Sequence, residues 1–226
     1  MSARFVVVSG TDTGVGKTVV AAGLARALIR AHKRTLAIKL VESGCDGVAT
    51  EDGALLAEAT GQEQPRRALV RFRAPLAPAL AAELEGVPID VDALARAVRE
   101  LGAAVDFVII EGAGGLLAPL SWDRDITHVA TALEATVLVV GSDRLGVVNH
   151  SLLTLNGCIA GWNVPLGVVL GAPATPDAST GTNVAALSRM LVHHRLQDRV
   201  IAIPRVDGCD QAADHLGPVL GWLGVA

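Results

Sequence analysis

Short apolar runs that alternate with helical patterns are the feature that most constrains the fold of this chain. Each run has four or five residues, most of them apolar, and together they cover residues 5–9, 35–39, 107–111, 136–140, 166–170 and 200–203. Because their apolarity is continuous and does not alternate, they predict strands that are buried on both faces, as in a parallel sheet.

Segments with helical periodicity lie between these runs. They cover residues 18–31, 52–59, 91–101, 126–133, 151–160 and 184–191, and a further helix is expected near the C-terminus. Strand and helix in alternation require right-handed crossovers and predict an α/β fold with a three-layer, doubly wound, mostly parallel sheet. Residues 40–88, which contain several prolines, are expected to form a loop-rich insert with short helices. With no repeat or linker, residues 1–226 are predicted to form one domain.

Charge and composition exclude several classes of protein. The chain has 19 basic and 23 acidic residues, a net charge of −4, no Tyr and three Phe, which argues against a surface that binds nucleic acid or an anionic membrane. No apolar stretch is long enough for a membrane span or a signal peptide. The three widely spaced cysteines indicate a reducing compartment. We therefore expect a cytoplasmic protein.

A glycine-rich segment, GTDTGVGKT at residues 10–18, follows the first predicted strand and leads into the first predicted helix. In that context the pattern is typical of a P-loop, which binds the phosphates of a nucleoside triphosphate. Gly14 and Gly16 would let backbone amides approach the phosphates. Lys17 would reach the β and γ phosphates, and the Thr18 hydroxyl would bind Mg²⁺. The alternative is a glycine-rich turn without a ligand.

Two charged residues end predicted strands, and in open α/β sheets ligands bind at that edge. Glu111 offers a carboxylate, which Mg²⁺ prefers as a ligand, although it could also cap the next turn. Lys39 could neutralise charge on a transferred phosphoryl group, although a solvated strand-end lysine is common.

Three smaller polar residues each have a functional and a structural interpretation. Ser43 could donate to a substrate or close the turn at Gly44. Asp52 could bind a metal or cap the helix that starts there, and Asn149 would by default cap the helix that follows it.

Four segments, read together, resemble the motifs of the dethiobiotin synthetase family. Residues 10–18 are similar to that family's G-T-D-T-x-V-G-K-T, and residues 39–44, KLVESG, are similar to its K-P-V-x-[ST]-G. Residues 111–115, EGAGG, match its E-G-A-G-G, and residues 145–154, LGVVNHSLLT, resemble its L-G-x-[IV]-N-H-x-L-L-T. The motifs occur in the family's order, and the resemblance extends from residue 5 to about residue 206.

The resemblance implies a P-loop NTPase fold and a ligase of biotin synthesis. In this family diaminopelargonic acid (7,8-diaminononanoate) captures CO₂ on one amine as a carbamate, which attacks the γ-phosphate and gives a carbamic–phosphoric anhydride. The second amine then closes the ring of dethiobiotin and releases phosphate. The resemblance further implies Mg²⁺, ATP or another NTP as co-substrate, and a homodimer with its active site at the subunit interface.

The same resemblance assigns roles to residues. Lys39, Lys17 and Thr13 would be catalytic, with Lys39 bridging the carbamate and the γ-phosphate. Thr18, Asp52 and Glu111 would surround Mg²⁺.

The remaining roles concern binding of the substrate and the nucleotide. Ser43 would hold the substrate, and its carboxylate tail would bind the neighbouring subunit at Leu145, Gly146, Val147 and Asn149. Residues expected to bind the nucleotide and its metal are Gly14, Val15, Gly16, Lys17, Thr18, Val19, Asp52, Glu111, Gly112, Ala113, Gly114, Gly171, Ala172, Pro204, Arg205 and Val206.

Three positions depart from the family pattern. Leu40 replaces the usual Pro and is expected to loosen the backbone after Lys39. Ala79 replaces a His. Gly171 and Ala172 replace an Asn-Asp pair whose Asn can read adenine, so another NTP could replace ATP.

Other functions remain open from the sequence. A regulatory P-loop ATPase of the partitioning or iron-protein type usually carries an extra lysine early in the P-loop, and residues 10–14 contain none. An amide ligase of the cobyrinic acid synthetase type usually continues into a glutamine-hydrolysing domain, for which 226 residues are expected to leave no room. A third possibility is a chain that keeps the fold without the activity.

Overall fold

The computed structural model describes residues 3–47 and 51–225 and is built of alternating strands and helices. In chain order the elements are β1 (Arg4–Gly10), α1 (Lys17–Arg30), β2 (Thr35–Lys39), β3 (Val41–Ser43), α2 (Asp52–Thr60), β4 (Val70–Phe72), α3 (Pro78–Glu85), α4 (Val91–Leu101), β5 (Phe107–Gly115), α5 (Ile126–Ala132), β6 (Thr136–Ser142), α6 (Val147–Ala160), β7 (Val164–Gly171), α7 (Asn183–His193), β8 (Val200–Ile203), α8 (Cys209–His215) and α9 (Gly217–Trp222).

Six strands form one parallel sheet in the order β2-β5-β1-β6-β7-β8, and β3 pairs with β4 in a separate two-stranded sheet. Alternate residues of the strands face opposite sides. Val7 belongs to the core under α4, α5 and α6, whereas Val6 and Val8 belong to the core under α1 and α9. Burial on both faces explains the continuous apolar runs. The predicted three-layer α/β fold is therefore confirmed.

All six predicted strands are present, and the predicted helices differ mainly at their ends. The largest difference is α6, which begins at Val147 and not at residue 151. Gly146 precedes it with φ 94°, a left-handed conformation that glycine adopts readily. Asn149 is therefore the third residue of α6, and its expected role as the cap is wrong.

The insert at residues 40–88 is more regular than its sequence indicates. In its described part the structure adds β3, β4 and α3 to the predicted helix α2. The two strands have three residues each, which is too short for a recognisable hydrophobic pattern. Pro78 occupies the first turn of α3, where the missing N–H of proline costs nothing.

Leu40 is firmly held, so the expected loosening of the backbone after Lys39 is wrong. Its backbone N–H donates to the carbonyl of Glu111 at 3.1 Å, and its own carbonyl accepts from Val70 at 3.2 Å. A proline could not make the first of these bonds, because it lacks the N–H. Ala79, the second departure, is buried at 4% exposure in α3.

The helices within residues 3–47 and 51–225 were also compared in length and apolarity with a membrane-spanning helix. None of them is both long and apolar enough to cross a membrane.

Candidate active site

The carboxyl ends of β1, β2 and β5 bring the predicted chemical residues to one edge of the sheet. Lys39 ends β2 and lies in register with Glu111 of β5. The P-loop leaves β1, which pairs with the other side of β5. Between them is an open cleft of about 680 Å³. The strand order reverses around β1 and β5, which is where open α/β sheets bind ligands.

The P-loop has the backbone of a phosphate cradle. Gly14 and Gly16 adopt φ of 74° and 95°, and a Cβ at either position would meet no atom within 4 Å. The loop is therefore open on the side where a phosphate would approach, at the N-terminus of α1, which favours an anion.

Lys17, the P-loop lysine, folds back over the loop. Its Nζ donates to the carbonyl of Asp12 at 2.9 Å, and the residue is 6% exposed. Burial lowers the pKa of the Lys17 amine, and the charge of Glu111 opposes that effect. An anionic phosphate would favour the charged form and replace the weaker carbonyl partner.

Lys39 is the most strongly paired cation of the cleft. Its Nζ donates to Asp52 Oδ2 and Glu111 Oε1, each at 2.7 Å, and to the carbonyl of Gly112 at 3.3 Å. Burial is the largest single influence on the pKa of Lys39 and lowers it, but the two carboxylates together outweigh burial and raise the pKa. The raised pKa favours the charged ammonium, which a residue that neutralises a phosphoryl group would require.

Glu111 has one engaged and one free oxygen. Oε1 accepts from Lys39 and from the Thr18 hydroxyl at 3.0 Å, whereas Oε2 is buried and has no hydrogen-bond partner among the described residues. Burial raises the pKa of the carboxyl, and the Lys39 ammonium opposes it. A buried acceptor without a partner is costly unless another group binds there. With Thr18 and Asp52 it forms a set of oxygen donors that fits Mg²⁺.

Most of the predicted phosphate and substrate residues line this cleft. Ser43 does so with a buried hydroxyl that has no hydrogen-bond partner among the described residues. The predicted residues that line the cleft are Thr13, Gly14, Gly16, Lys17, Thr18, Val19, Lys39, Ser43, Asp52, Glu111, Ala113 and Gly114. Gly112 contributes the carbonyl that accepts from Lys39.

Sequence reasoning missed several wall residues of the cleft. Glu42 and the segment Pro75, Leu76, Ala77 and Pro78 also line it. The only signal for Glu42 was its position inside the Lys39 motif, at a place where the resembling motif accepts any residue. Ala79, which follows the proline segment, was recognised as a departure from the family pattern, but the segment itself was not assigned to the site.

A second, smaller cavity of about 360 Å³ adjoins the other side of the P-loop. It shares Gly14, Gly16 and Val19 with the first cleft. The residues predicted to flank the base all line it, namely Val15, Gly171, Ala172, Pro204, Arg205 and Val206. The wall is completed by residues that were not predicted, namely Val20, Ser142, Pro173, Ala174 and Ile203. This cavity is lined mainly by small and apolar residues.

The predicted substrate-tail residues lie apart from the cleft. Leu145, Gly146, Val147 and Asn149 line neither of the two cavities, and Leu145 is 80% exposed. Asp177 fixes their loop, because its Oδ2 accepts from the Leu145 backbone N–H at 2.8 Å. A hydrogen bond from the Ser179 side chain, then that from Leu145, holds the pKa of Asp177 down at about 2.

Comparison with known folds agrees with this architecture. A solved structure of pNOB8 ParA bound to nonspecific DNA superposes with a TM-score of 0.62 at 14% identity, covering 98% of this chain and 99% of that one. A chain of the MinC:MinD cell division protein complex of Aquifex aeolicus superposes with a TM-score of 0.57 at 15% identity, covering 98% of this chain and 96% of that one. At such low identity the likeness concerns the fold alone.

Sequence comparison identifies the family. A family model described as an AAA domain matches residues 4–212. The ATP-dependent dethiobiotin synthetase BioD of Anaeromyxobacter dehalogenans (strain 2CP-1 / ATCC BAA-258) is 37% identical over 221 residues, covering 96% of this chain and 97% of the relative. The protein of the same name from Aquifex aeolicus (strain VF5) is 35% identical, covering 81% and 83%. The chain therefore belongs to the dethiobiotin synthetase family.

Proposed function

We propose that this chain makes dethiobiotin from diaminopelargonic acid, CO₂ and a nucleoside triphosphate, with Mg²⁺, in biotin biosynthesis. The observation that carries the proposal is the placement of Lys39 between Asp52 and Glu111, at the open end of the P-loop cleft. Family membership indicates the substrate, and Lys39 places a cation in the cleft where a carbamate and a γ-phosphate would meet.

The chain's own residues would act by charge and position. The P-loop amides and Lys17 would hold the triphosphate, while the Lys39 ammonium would bridge the carbamate oxygen and the γ-phosphate. The carbamate oxygen would bond to phosphorus as the bond to the β–γ bridging oxygen breaks and the nucleoside diphosphate leaves. The second amine would then attack the carbamate carbon, lose a proton and expel phosphate. Thr13, which lines the cleft, would contact the phosphates.

The metal would bind at the oxygen donors of Thr18, Asp52 and Glu111. Support comes from Glu111 Oε2, which is buried and without a partner among the described residues. When bound there, Mg²⁺ would neutralise phosphate charge and orient the oxygens for in-line displacement.

The substrate is proposed to span two copies of the chain. Ser43 would hold the reacting end in the cleft, and residues 145–149 would bind the carboxylate tail in the cleft of the neighbouring subunit. Two facts support this arrangement: residues 145–149 line neither cavity of their own copy, and Leu145 is largely exposed. A homodimer with shared sites is the simplest assembly that uses both surfaces.

A mixing experiment tests the shared site. Lys39→Ala and Asn149→Ala proteins are each assayed alone, and then together after exchange of subunits. A heterodimer would contain one intact site, so a mixture of two inactive variants should regain about a quarter of normal activity. No recovery, with exchange demonstrated by mass, would contradict the shared site.

The base of the nucleotide is less constrained by the site than its triphosphate. Gly171 and Ala172 offer no side-chain amide to adenine, so we propose that ATP serves and that other nucleoside triphosphates serve as well. We also keep as predictions one catalytic domain and a cytoplasmic location. The net charge of −4 further supports the prediction that the chain binds neither nucleic acid nor membranes.

The deciding assay is formation of the product. The protein is incubated with diaminopelargonic acid, bicarbonate, Mg²⁺ and each nucleoside triphosphate in turn, and dethiobiotin is sought by mass spectrometry. We expect product with ATP at least, and none without the diamine. Triphosphate hydrolysis that does not depend on the diamine, with no dethiobiotin, would favour a regulatory ATPase instead.

A further inference from the structure

The N-terminus of α2 lacks a capping side chain of its own. Its cap residue is Glu51, whose side chain makes no hydrogen bond to the helix. The Glu51 carboxylate instead accepts from Arg71 Nε at 2.8 Å, across to β4. The first amides of a helix need partners from elsewhere when the cap residue supplies none.

Glu42 supplies those partners from β3. One carboxylate oxygen, Oε1, accepts from the backbone N–H of Asp52 at 2.5 Å, and Oε2 accepts from that of Gly53 at 3.1 Å. Glu42 is only 9% exposed, so these bonds also satisfy a carboxylate that would otherwise be buried at high cost. A negative charge at this end of a helix is also favoured by the helix dipole.

The hydrogen bond between Glu42 and Asp52 completes a ring of contacts that includes Lys39. Only Leu40 and Val41 separate Lys39 from Glu42 along the chain, and Glu42 binds the backbone of Asp52. The Asp52 carboxylate in turn accepts from Lys39 Nζ at 2.7 Å. The position of Asp52 relative to Lys39 is therefore set by a short loop of covalent and hydrogen bonds.

The packing of α2 strengthens this constraint. A Cβ on Gly53 would lie 2.4 Å from the backbone nitrogen of Ala68, so the first turn of α2 sits directly on the backbone of the loop that leads into β4. Not even a methyl group would fit between this turn and the backbone of Arg67 and Ala68.

We propose that Glu42 is a positioning residue, which fixes the Asp52 carboxylate on the Lys39 ammonium and at the metal site. The inference rests on the proposed function. Two other roles fit the contacts less well. Both oxygens of Glu42 are engaged by backbone amides, which leaves no free oxygen to bind a substrate amine. The same engagement weakens a metal site of Glu42, Cys45 and Glu51, whose ligand atoms lie within 4.8 Å of one another.

The test compares Glu42→Gln and Glu42→Ala with Glu58→Gln, a matched change on the exposed face of the same helix. Glutamine keeps one acceptor oxygen and the shape of the side chain, so the Glu42→Gln protein should fold even if the Glu42→Ala protein does not. We expect kcat to fall about 10-fold in Glu42→Gln and about 100-fold in Glu42→Ala, with KM for the diamine changed less than threefold. Glu58→Gln should match the unmodified protein.

A double-mutant cycle with Asp52→Ala decides whether Glu42 acts through Asp52. In the Asp52→Ala protein, the further change Glu42→Ala should lower kcat less than twofold. Losses that multiply, or a Glu42→Ala protein as active as the unmodified one, would overturn the proposal and leave the proposed function intact.

A binding measurement does not depend on the product. The affinity for a non-hydrolysable ATP analogue is measured by calorimetry with and without Mg²⁺. Glu42→Ala should reduce the gain that Mg²⁺ gives about 10-fold and leave the Mg²⁺-free affinity unchanged. An unchanged gain, or an equal loss in both conditions, would contradict a role through Asp52 whether or not the protein makes dethiobiotin.

Discussion

The two ends of the nucleotide site are built on different principles. At the phosphate end, Lys17, Lys39 and Glu111 are only 1–6% exposed, and hydrogen bonds hold their side chains in place. The Asp52 carboxylate there accepts directly from Lys39. At the base end, glycine, alanine and proline line a cavity with few polar side chains. We infer from this difference that the proposed site would select a triphosphate through preorganised charge and a base mainly through shape.

The largest effect is expected at Lys39. Lys39→Ala removes the only cation that contacts both Asp52 and Glu111 among the described residues, so turnover should fall about 10³-fold. Nucleotide affinity should change little, because Lys17 and the P-loop remain. Steady-state rates and calorimetric binding of an ATP analogue measure the two effects, and retained binding also shows that the variant is folded.

Lys33 provides the control for this change. It lies in the turn between α1 and β2, away from the cleft. Lys33→Ala should leave both turnover and binding unchanged. Equal losses of nucleotide affinity in Lys39→Ala and Lys17→Ala would contradict the separate roles given to the two lysines.

Lys17→Ala should weaken binding and turnover together. Its ammonium would make charge-assisted hydrogen bonds to the β and γ phosphates, each contributing about 1.5–3 kcal/mol. We expect about 10²-fold weaker binding of ATP and a similar loss in kcat/KM, read from the same titrations and rates. Binding that survives unchanged would show that the phosphate end does not depend on this cation.

At the base end a gain of function is expected. Gly171→Asn restores an amide, and its Cβ would lie 3.7 Å from the nearest atom, the carbonyl oxygen of Val15, which is ordinary contact. One added hydrogen bond contributes about 1 kcal/mol, so kcat/KM for ATP should rise about fivefold relative to CTP and UTP. Gly171→Ala is the matched control without the amide. A strong preference for ATP already present in the unmodified protein would break the comparison between the two ends.

The smallest effect is expected at Arg205. Its side chain is exposed at the rim of the base cavity and has no hydrogen bond or ion pair to another described residue that would fix it. Arg205→Ala should change KM for every nucleoside triphosphate less than twofold. A tenfold rise for one base would show that this arginine reads the base and that the base end is more specific than its shape indicates.

The sequence predicted the sheet and the charged residues well, because both depend on local patterns. Buried parallel strands give continuous apolar runs, and Lys39 and Glu111 stand where such runs end. The contacts among them depend on which strands are neighbours, which no local pattern contains. That Lys39 faces Glu111 in register follows from β5 inserting between β1 and β2.

Other features of the site could not be predicted for a related reason. Glu42 acts through the backbone of residues ten positions later, after a segment whose spacing has no helical or strand period. Leu40 was expected to loosen the backbone because it replaces the family's proline. Its N–H instead donates to the Glu111 carbonyl, a contact that only the folded chain provides. The role of residues 145–149 involves a second copy of the chain and stays a prediction.

The central claim is that a carbamate oxygen, and not water, attacks the γ-phosphate beside Lys39. A brief incubation with ¹⁸O-labelled bicarbonate, diaminopelargonic acid, Mg²⁺ and ATP tests it directly, because the oxygen that bonds to phosphorus leaves with the phosphate. The account predicts that the released phosphate carries a single ¹⁸O and appears in equal amount to dethiobiotin. Phosphate without label from bicarbonate would mean that water is the nucleophile, and it would contradict the account.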